Sequence, residues 1–302
     1  MIDLRAKANL THADSLWLCS AMQVILLDET FRVMGWTAPD AVFHGGSSIR
    51  LGLGSQRFSE DLDFMVSARR LGALMAASGE VAERARRRML AMTPGATVAF
   101  KATPEKPGRD RMDTWSLKWS HPMRHGVAQV KGEFYAVPHE LLARYQTSTV
   151  IPTPVGGMRL TIPVPFPTLL AIWGDKLKAI ASRPEFKMRD AYDLGLVSQR
   201  FGLSGSPSAG EFFSAISVSA AIYGKTLDDI AAGLRARLDD GTMARQDDFV
   251  RDMQRWFDGE TYLKLSASGS LLDCWMRTEE EMRTALGFLV PHIAPAVCAV
   301  TP

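Results

Sequence analysis

The sequence predicts an α/β (α+β) first half followed by a helical second half. Three observations point there. Between residues 41 and 137, short apolar or alternating runs are separated by Gly- and Pro-rich turns, which is the pattern of strands. Helix-period stretches precede and interrupt those runs. After about residue 165 the texture becomes wholly helical. With 302 residues, the chain is long enough for one large domain or two ordinary ones of roughly 100–200 residues each. We expect the division at 1–164 and 165–302.

The elements follow in order. Residues 12–34 carry apolar side chains at helical spacing and are broken by "GWTAPD". "AVFHGG" reads as a short buried strand ending in a glycine turn, and "SSIRLGL" as a short helix opening at the serines. In "DLDFMV", Leu62 and Phe64 fall on one face of a strand and Asp61 and Asp63 on the other. Residues 68–92 form a helix with a basic side. Strands are expected over 97–103, 113–120 and 126–137, with turns such as "TPEKPGRD" between them. "PFPTLLAIWGDKLKAIASR" predicts a helix with Thr168 as N-cap, and "EFKMRDAYDLGLVSQRFG" predicts another. Further helices fill 208–290, one of them opened by a Thr278–Glu281 capping box.

Composition excludes several classes. The chain is 46% hydrophobic and 23% charged, as in globular proteins. Cys19, Cys274 and Cys298 are scattered, which argues against a disulfide framework and for a cytoplasmic setting. The polar N-terminus does not read as a signal peptide. No apolar run approaches the ~18 residues of a membrane span, and "GFLVPHIAPAVCAV" reads as a buried tail. The net charge is only +2, but it is unevenly spread. Eleven cations (Arg84, Arg86, Arg87, Arg88, Lys101, Lys106, Arg109, Arg111, Lys118, Arg124 and Lys131) face three acids over residues 84–131. This stretch is either a basic field for a polyanion or a solvated Arg-rich helix.

The chemistry concentrates in "FHGGSSIRLGLGSQRFSEDLDFMV", residues 43–66. Asp61 and Asp63 are two apart on a strand, so they point the same way and repel. Such a pair needs a cation, and magnesium with substrate phosphates suits carboxylate oxygens. Gly45 and Gly46 permit close approach of a ligand. Ser47 begins a helix whose N–H groups and dipole favour an anion. An NTP with bridging Mg2+ satisfies both halves. Glu133, on the strand "VAQVKGEFYAV", either joins this cluster or faces solvent. Lys176 lies at the edge of an apolar helical stripe. It either snorkels to water or aims its charge into a cleft. Lys178 is expected to face outward. Asp190 and Asp193 share a helix face, and Arg189 can pair with Asp193.

These segments closely resemble the AbiEii/AbiGii-type nucleotidyltransferase-like toxins. There, a GG(S/T)-x-x-R-L segment leads to R-x-S-x-D-(L/I)-D-(F/L), as in "GGSSIRLGLGSQRFSEDLDF"; the family's K-L-x-A and R-D-x-x-D-L are matched by "DKLKAIASRPEFKMRDAYDL". His44 stands where many relatives carry lysine, and Ser48 where alanine is common. The resemblance implies a nucleotidyltransferase fold with a mixed sheet and a helical C-terminal domain. It implies transfer of NMP from an NTP to RNA, in some relatives the 3′ end of tRNA. It also implies dependence on Mg2+, with Mn2+ as a substitute, and a toxin role with a cognate antitoxin or in phage defence. By the same resemblance Gly45, Gly46, Ser47, Arg50, Lys176, Arg189 and Asp193 bind nucleotide. Asp61, Asp63, Lys176 and Asp190 are catalytic, and Asp61, Asp63 and Glu133 hold metal. A protein side chain as acceptor, or a degenerate nucleotide-binding module, is the alternative.

Overall fold

The computed structural model describes residues 2, 4, 7–104, 112–151, 158, 160–205 and 207–292. Lys106, Arg109, Arg111, Cys298 and most of the apolar tail lie outside them. The chain divides into two compact units: Met1–Pro167 with Trp256–Asp258, and Thr168–Arg255 with Gly259–Pro302. Strand Val164–Pro167 and the return segment Trp256–Asp258 thus belong to the first unit, beyond the expected 1–164.

The first unit runs β1 (Ala8–Asn9), α1 (His12–Met34), β2 (Ala41–His44), α2 (Gly45–Leu53), β3 (Asp61–Ser67), α3 (Leu71–Met92) and β4 (Thr97–Thr103). It continues through β5 (Met112–His121), β6 (Arg124–Val137), α4 (His139–Leu142), β7 (Thr147–Val150) and β8 (Val164–Pro167). Its main sheet has the order β2-β3-β6-β5-β4, with β1 beside β6. β3 runs parallel to β6, while β2/β3, β4/β5 and β5/β6 are antiparallel, so the sheet is mixed, as expected. β7 and β8 form a separate antiparallel pair.

One face of this sheet is apolar, because alternate residues of each strand share a face. Phe64 and Phe134 stack there with ring centroids 4.6 Å apart, and Trp115 lies 4.6 Å from Phe134. Helices α1 and α3 cover it, α1 giving Leu18, Met22, Ile25 and Leu26 and α3 giving Leu74, Val81, Ala85 and Met89. The Leu, Ile, Val and Met side chains among these contribute on the order of 1.5–3 kcal/mol each when fully buried. α1 starts where Thr11 and Asp14 form a reciprocal capping box and ends at Gly35 in the left-handed conformation. Its buried acids are compensated: Arg88 of α3 bonds Asp28 and reaches Glu29 at 2.8 Å.

The second unit contains α5 (Leu169–Ser182), α6 (Met188–Ser204), α7 (Ala209–Ile222), α8 (Leu227–Asp239), α9 (Gln246–Met253), α10 (Gly259–Ala267) and α11 (Ser270–Leu289). Thr168 caps α5 through the Ala171 N–H, as its sequence position predicts. The expected capping box at Thr278 is not one, since α11 runs through it without a break. The Thr278 hydroxyl donates to the Ala191 and Cys274 carbonyls, and Glu281 accepts from Trp173 and Ser198 at 2.7 Å each. An S/T-x-x-E pattern inside a longer apolar period therefore marks interhelix bonds here. Among the described residues, no helix is long and apolar enough to cross a membrane.

Candidate functional site

Strand β3 alternates as its sequence requires: Asp61 and Asp63 are half-buried, and Leu62 and Phe64 are fully buried on the core side. The carboxylates therefore stand on the sheet face opposite α1 and α3. His44, at the end of β2, pairs with Asp63. The chain then turns at once into α2 through Gly45, whose φ is +80°. A Cβ on Gly45 would run into the Asp63 carboxylate, so only glycine lets the turn close on that acid. A Cβ on Gly46 would meet the Arg57 guanidinium at 2.5 Å and the Ser59 hydroxyl at 2.9 Å.

The helix starts at Gly45, two residues before the expected start at Ser47. Its N-cap His44 makes no side-chain cap bond. By position, the N–H groups of Gly45, Gly46 and Ser47 belong to the first turn, where α-helical N–H groups lack an intrahelical partner. They carry the positive end of the helix dipole. The Ser47 hydroxyl donates to the Asp61 carbonyl and is fully buried, so it ties the helix start to β3. Ser48 bonds back to the Gly45 carbonyl at 2.8 Å. Glycine turn and carboxylate pair are thus locked together on adjacent elements.

Glu133 is the β6 residue directly beside Asp63, in parallel register, and shares its face. Burial and then the Asp61 charge push its carboxyl above the usual carboxylate range, and Lys131 opposes them. Asp61, Asp63 and Glu133 offer only hard oxygen donors. Among the described residues, no three His, Cys, Asp or Glu side chains converge as a preformed metal cage. Magnesium does not require one, because one or two carboxylates suffice when substrate phosphates complete its octahedron. The donor set fits that use.

Arg50 lies differently from a nucleotide contact on an open surface. Its guanidinium is buried, bonds the Ser20 hydroxyl of α1 at 2.8 Å and sits 4.1 Å above the Phe58 ring. Burial and then the neighbouring Arg57 charge pull its pKa down to about 10. Two residues beside the turn were given no role in the sequence: Arg57, the arginine of the R-x-S-x-D segment, and Gln23. Arg57 passes beside Gly46 and rests on the Trp256 ring at 5.6 Å. Gln23 of α1 donates to the Ser59 carbonyl at 2.7 Å and to Ser47 Oγ at 3.4 Å. The available signal was a lone amide inside the apolar run "AMQVILL".

In the second unit, Lys176 is buried between two acids. Its Nζ lies 2.9 Å from Asp190 Oδ1 and 2.7 Å from Asp193 Oδ2. Arg183 also bonds Asp190. Burial raises the Asp190 pKa, but Lys176 and Arg183 outweigh it and hold the carboxyl below its ordinary range. Arg189 acts on the same acid through its charge. Lys178 does not face outward, as expected, but packs 3.2 Å above the Tyr223 ring centroid. Burial pulls its pKa down to about 8.

A sequence profile of the family described as nucleotidyl transferase AbiEii toxin, type IV TA system, matches residues 37–261, well over half of the chain. The chain belongs to this AbiEii family. Nucleotidyl transfer within a toxin–antitoxin system is what that family carries, and it implies a nucleotide substrate and a cognate antitoxin. Among solved structures, the chain is similar to JHP933 from Helicobacter pylori, with 15% identity and a TM-score of 0.46, covering 91% of this chain and 93% of that one. A second H. pylori chain, with a provisional nucleotidyltransferase description, gives 15% identity and a TM-score of 0.46 over 92% and 99% of the two chains. No curated protein matches.

Proposed function

We propose that this AbiEii-family chain transfers NMP from an NTP to the 3′ hydroxyl of an RNA, the acceptor end of tRNA being the substrate meant. Magnesium is the metal in this reading, and manganese can replace it. The observation that carries it is the closure of the Gly45 turn on the Asp63 carboxylate, which sets an anion-binding helix start against a cation-demanding acid pair.

In this reading the N–H groups of Gly45, Gly46 and Ser47 hold the phosphates. Asp61 and Asp63, with Glu133 beside them, would hold the metal, and its Lewis acidity would supply charge stabilisation for the phosphoryl transfer. The acceptor 3′ oxygen bonds to the α-phosphorus while the bond from that phosphorus to the pyrophosphate oxygen breaks. The hydroxyl proton passes to a carboxylate of the cluster and on to solvent. Gly45 fixes the distance between phosphate cradle and carboxylates, so positioning is built into the backbone. A share for Lys176 and Asp190 in catalysis, and for Lys176, Arg189 and Asp193 in nucleotide binding, belongs to the proposal on the strength of the sequence motif alone.

The test uses the full chain with magnesium, each of four α-labelled NTPs, and either a tRNA pool or total protein. We expect label in RNA, reduced at least 100-fold by Asp63→Ala. Label confined to protein overturns the RNA acceptor, and no transfer to either overturns the transferase reading.

A further inference from the structure

Two groups of described cations in the basic stretch 84–131 differ. On α3 the arginines meet acids: Arg84 pairs with Glu80 at 2.8 Å, Arg86 with Glu83 at 3.0 Å, and Arg88 reaches Glu29 at 2.8 Å. Their charge is largely compensated at close range. Lys101, Lys118 and Lys131 are different. All three are exposed, and none of their side chains forms an ion pair or hydrogen bond with another described residue, although the Lys131 charge acts on Glu133.

Strand register places them on one face. Lys101 of β4 is paired with Ser116 of β5, Ser116 with Lys131 of β6, and Lys131 with Asp61 of β3. One lateral row therefore runs Lys101, Ser116, Lys131, Asp61. The row on one side runs Thr103, Thr114, Glu133, Asp63. On the other side, Lys118 is paired with Gln129. Paired residues share a face, and this is the face opposite the aromatic core. Its acids are Asp61 and Asp63 on β3 and Glu133 on β6; Lys101 and Lys118 lie farther out on β4 and β5 beyond neutral Ser116 and Gln129, while Lys131 is the direct neighbour of Asp61. From β4 to β3 is three strand spacings, roughly 14 Å. That is the length of about four stacked nucleotides at 3.4 Å per step.

We propose that this open sheet face holds the 3′ end of a single-stranded RNA acceptor, with Lys101, Lys118 and Lys131 on its phosphates and its terminal hydroxyl at Asp61 and Asp63. The inference rests on the transferase reading above and extends it to where the acceptor lies. Exposed cations whose side chains are held in no close ion pair attract a polyanion. The gradient toward the carboxylates gives the strand a direction, because phosphates avoid the acidic end while a neutral hydroxyl can enter it. The contacts are to backbone phosphates, so recognition along the track is sequence-tolerant. A charged protein segment is the competing occupant, and the experiment separates it.

Binding of the full chain to a labelled 12-nucleotide RNA and to an acidic peptide is measured by anisotropy from 50 to 300 mM salt. Wild type is compared with the Lys101→Ala/Lys118→Ala/Lys131→Ala variant and with Lys118→Glu. The substituted side chains are exposed, and circular dichroism checks folding. Neutralising three phosphate contacts corresponds to a log–log salt slope of about 2, at about 0.7 each for single strands. We expect the triple variant to lose that slope, weaken RNA binding at least tenfold and raise the RNA KM, while the KM for NTP stays within twofold. Lys118→Glu is expected to weaken RNA binding at least threefold. An unchanged RNA slope and KM, in a preparation whose wild type still labels RNA, overturns the track and leaves the RNA transferase standing. Loss of peptide binding alone overturns the nucleic-acid occupant. A wild type that labels only protein overturns both readings together.

Discussion

Gly45 is the residue on which most of the site geometry turns. Its φ of +80° disfavours any side chain, and a Cβ there would collide with the Asp63 carboxylate. We expect Gly45→Ala to cost about 1–2 kcal/mol of stability from the left-handed backbone alone. Nucleotidyl transfer should fall far more, at least 100-fold, because Asp63 must move aside. Thermal unfolding and labelled-NTP turnover on one preparation check this, and a fall in activity no larger than the loss of folded protein would refute it. Glu133 makes a second case. Its carboxyl is raised by burial and by Asp61. A raised folded-state pKa means the stabilising contribution is complete below the unfolded value of 4.5 and is lost as pH rises through the folded one. Glu133→Gln removes that loss. We therefore expect the variant to melt above wild type at pH 7 and level with it near pH 4, without metal. Equal melting differences at both pH values would count against the electrostatic origin.

At the scale of elements, α5 and α6 are fastened by a buried charge cluster. Lys176 bridges Asp190 and Asp193, and Arg183 supplies a second cation to Asp190. Removing one partner from a buried pair strands the other charges. Lys176→Met should thus destabilise by about 3–5 kcal/mol. The depressed Asp190 pKa sets the direction with pH: its stabilisation is present above the ordinary value of 3.8 and is lost as pH falls through the lower folded value. The wild-type advantage over Lys176→Met in urea unfolding should accordingly shrink in acid. An advantage unchanged down to pH 2 would remove the ion cluster as its source. The helix period of α5 placed Lys176 at the edge of an apolar stripe but could not choose between water and a partner. The i, i+3 spacing of Asp190 and Asp193 put both acids on one face, and only the packing of α5 on α6 brought the lysine to them.

For the whole molecule, the sequence alone determined the α/β first half, the helical second half, the strand with outward aspartates, the Thr168 cap and the family segments that residues 37–261 bear out. These follow from local rules: period, turn chemistry, and glycine where a backbone must pass a side chain. Other features depended on which strands become neighbours. Strand pairing put Glu133 beside Asp63, an adjacency no local pattern encodes, since β3 and β6 meet across α3, β4 and β5. Among the described residues, the same register separated a basic stretch into ion-paired arginines on α3 and lysines without close ion pairs on the sheet face opposite the core. Packing turned Arg50 toward α1 and Phe58, and Thr278 into an interhelix donor. Spacing along the chain fixes the side of an element on which a group stands. What that group meets is set by long-range pairing and burial, because the partner comes from a distant part of the chain.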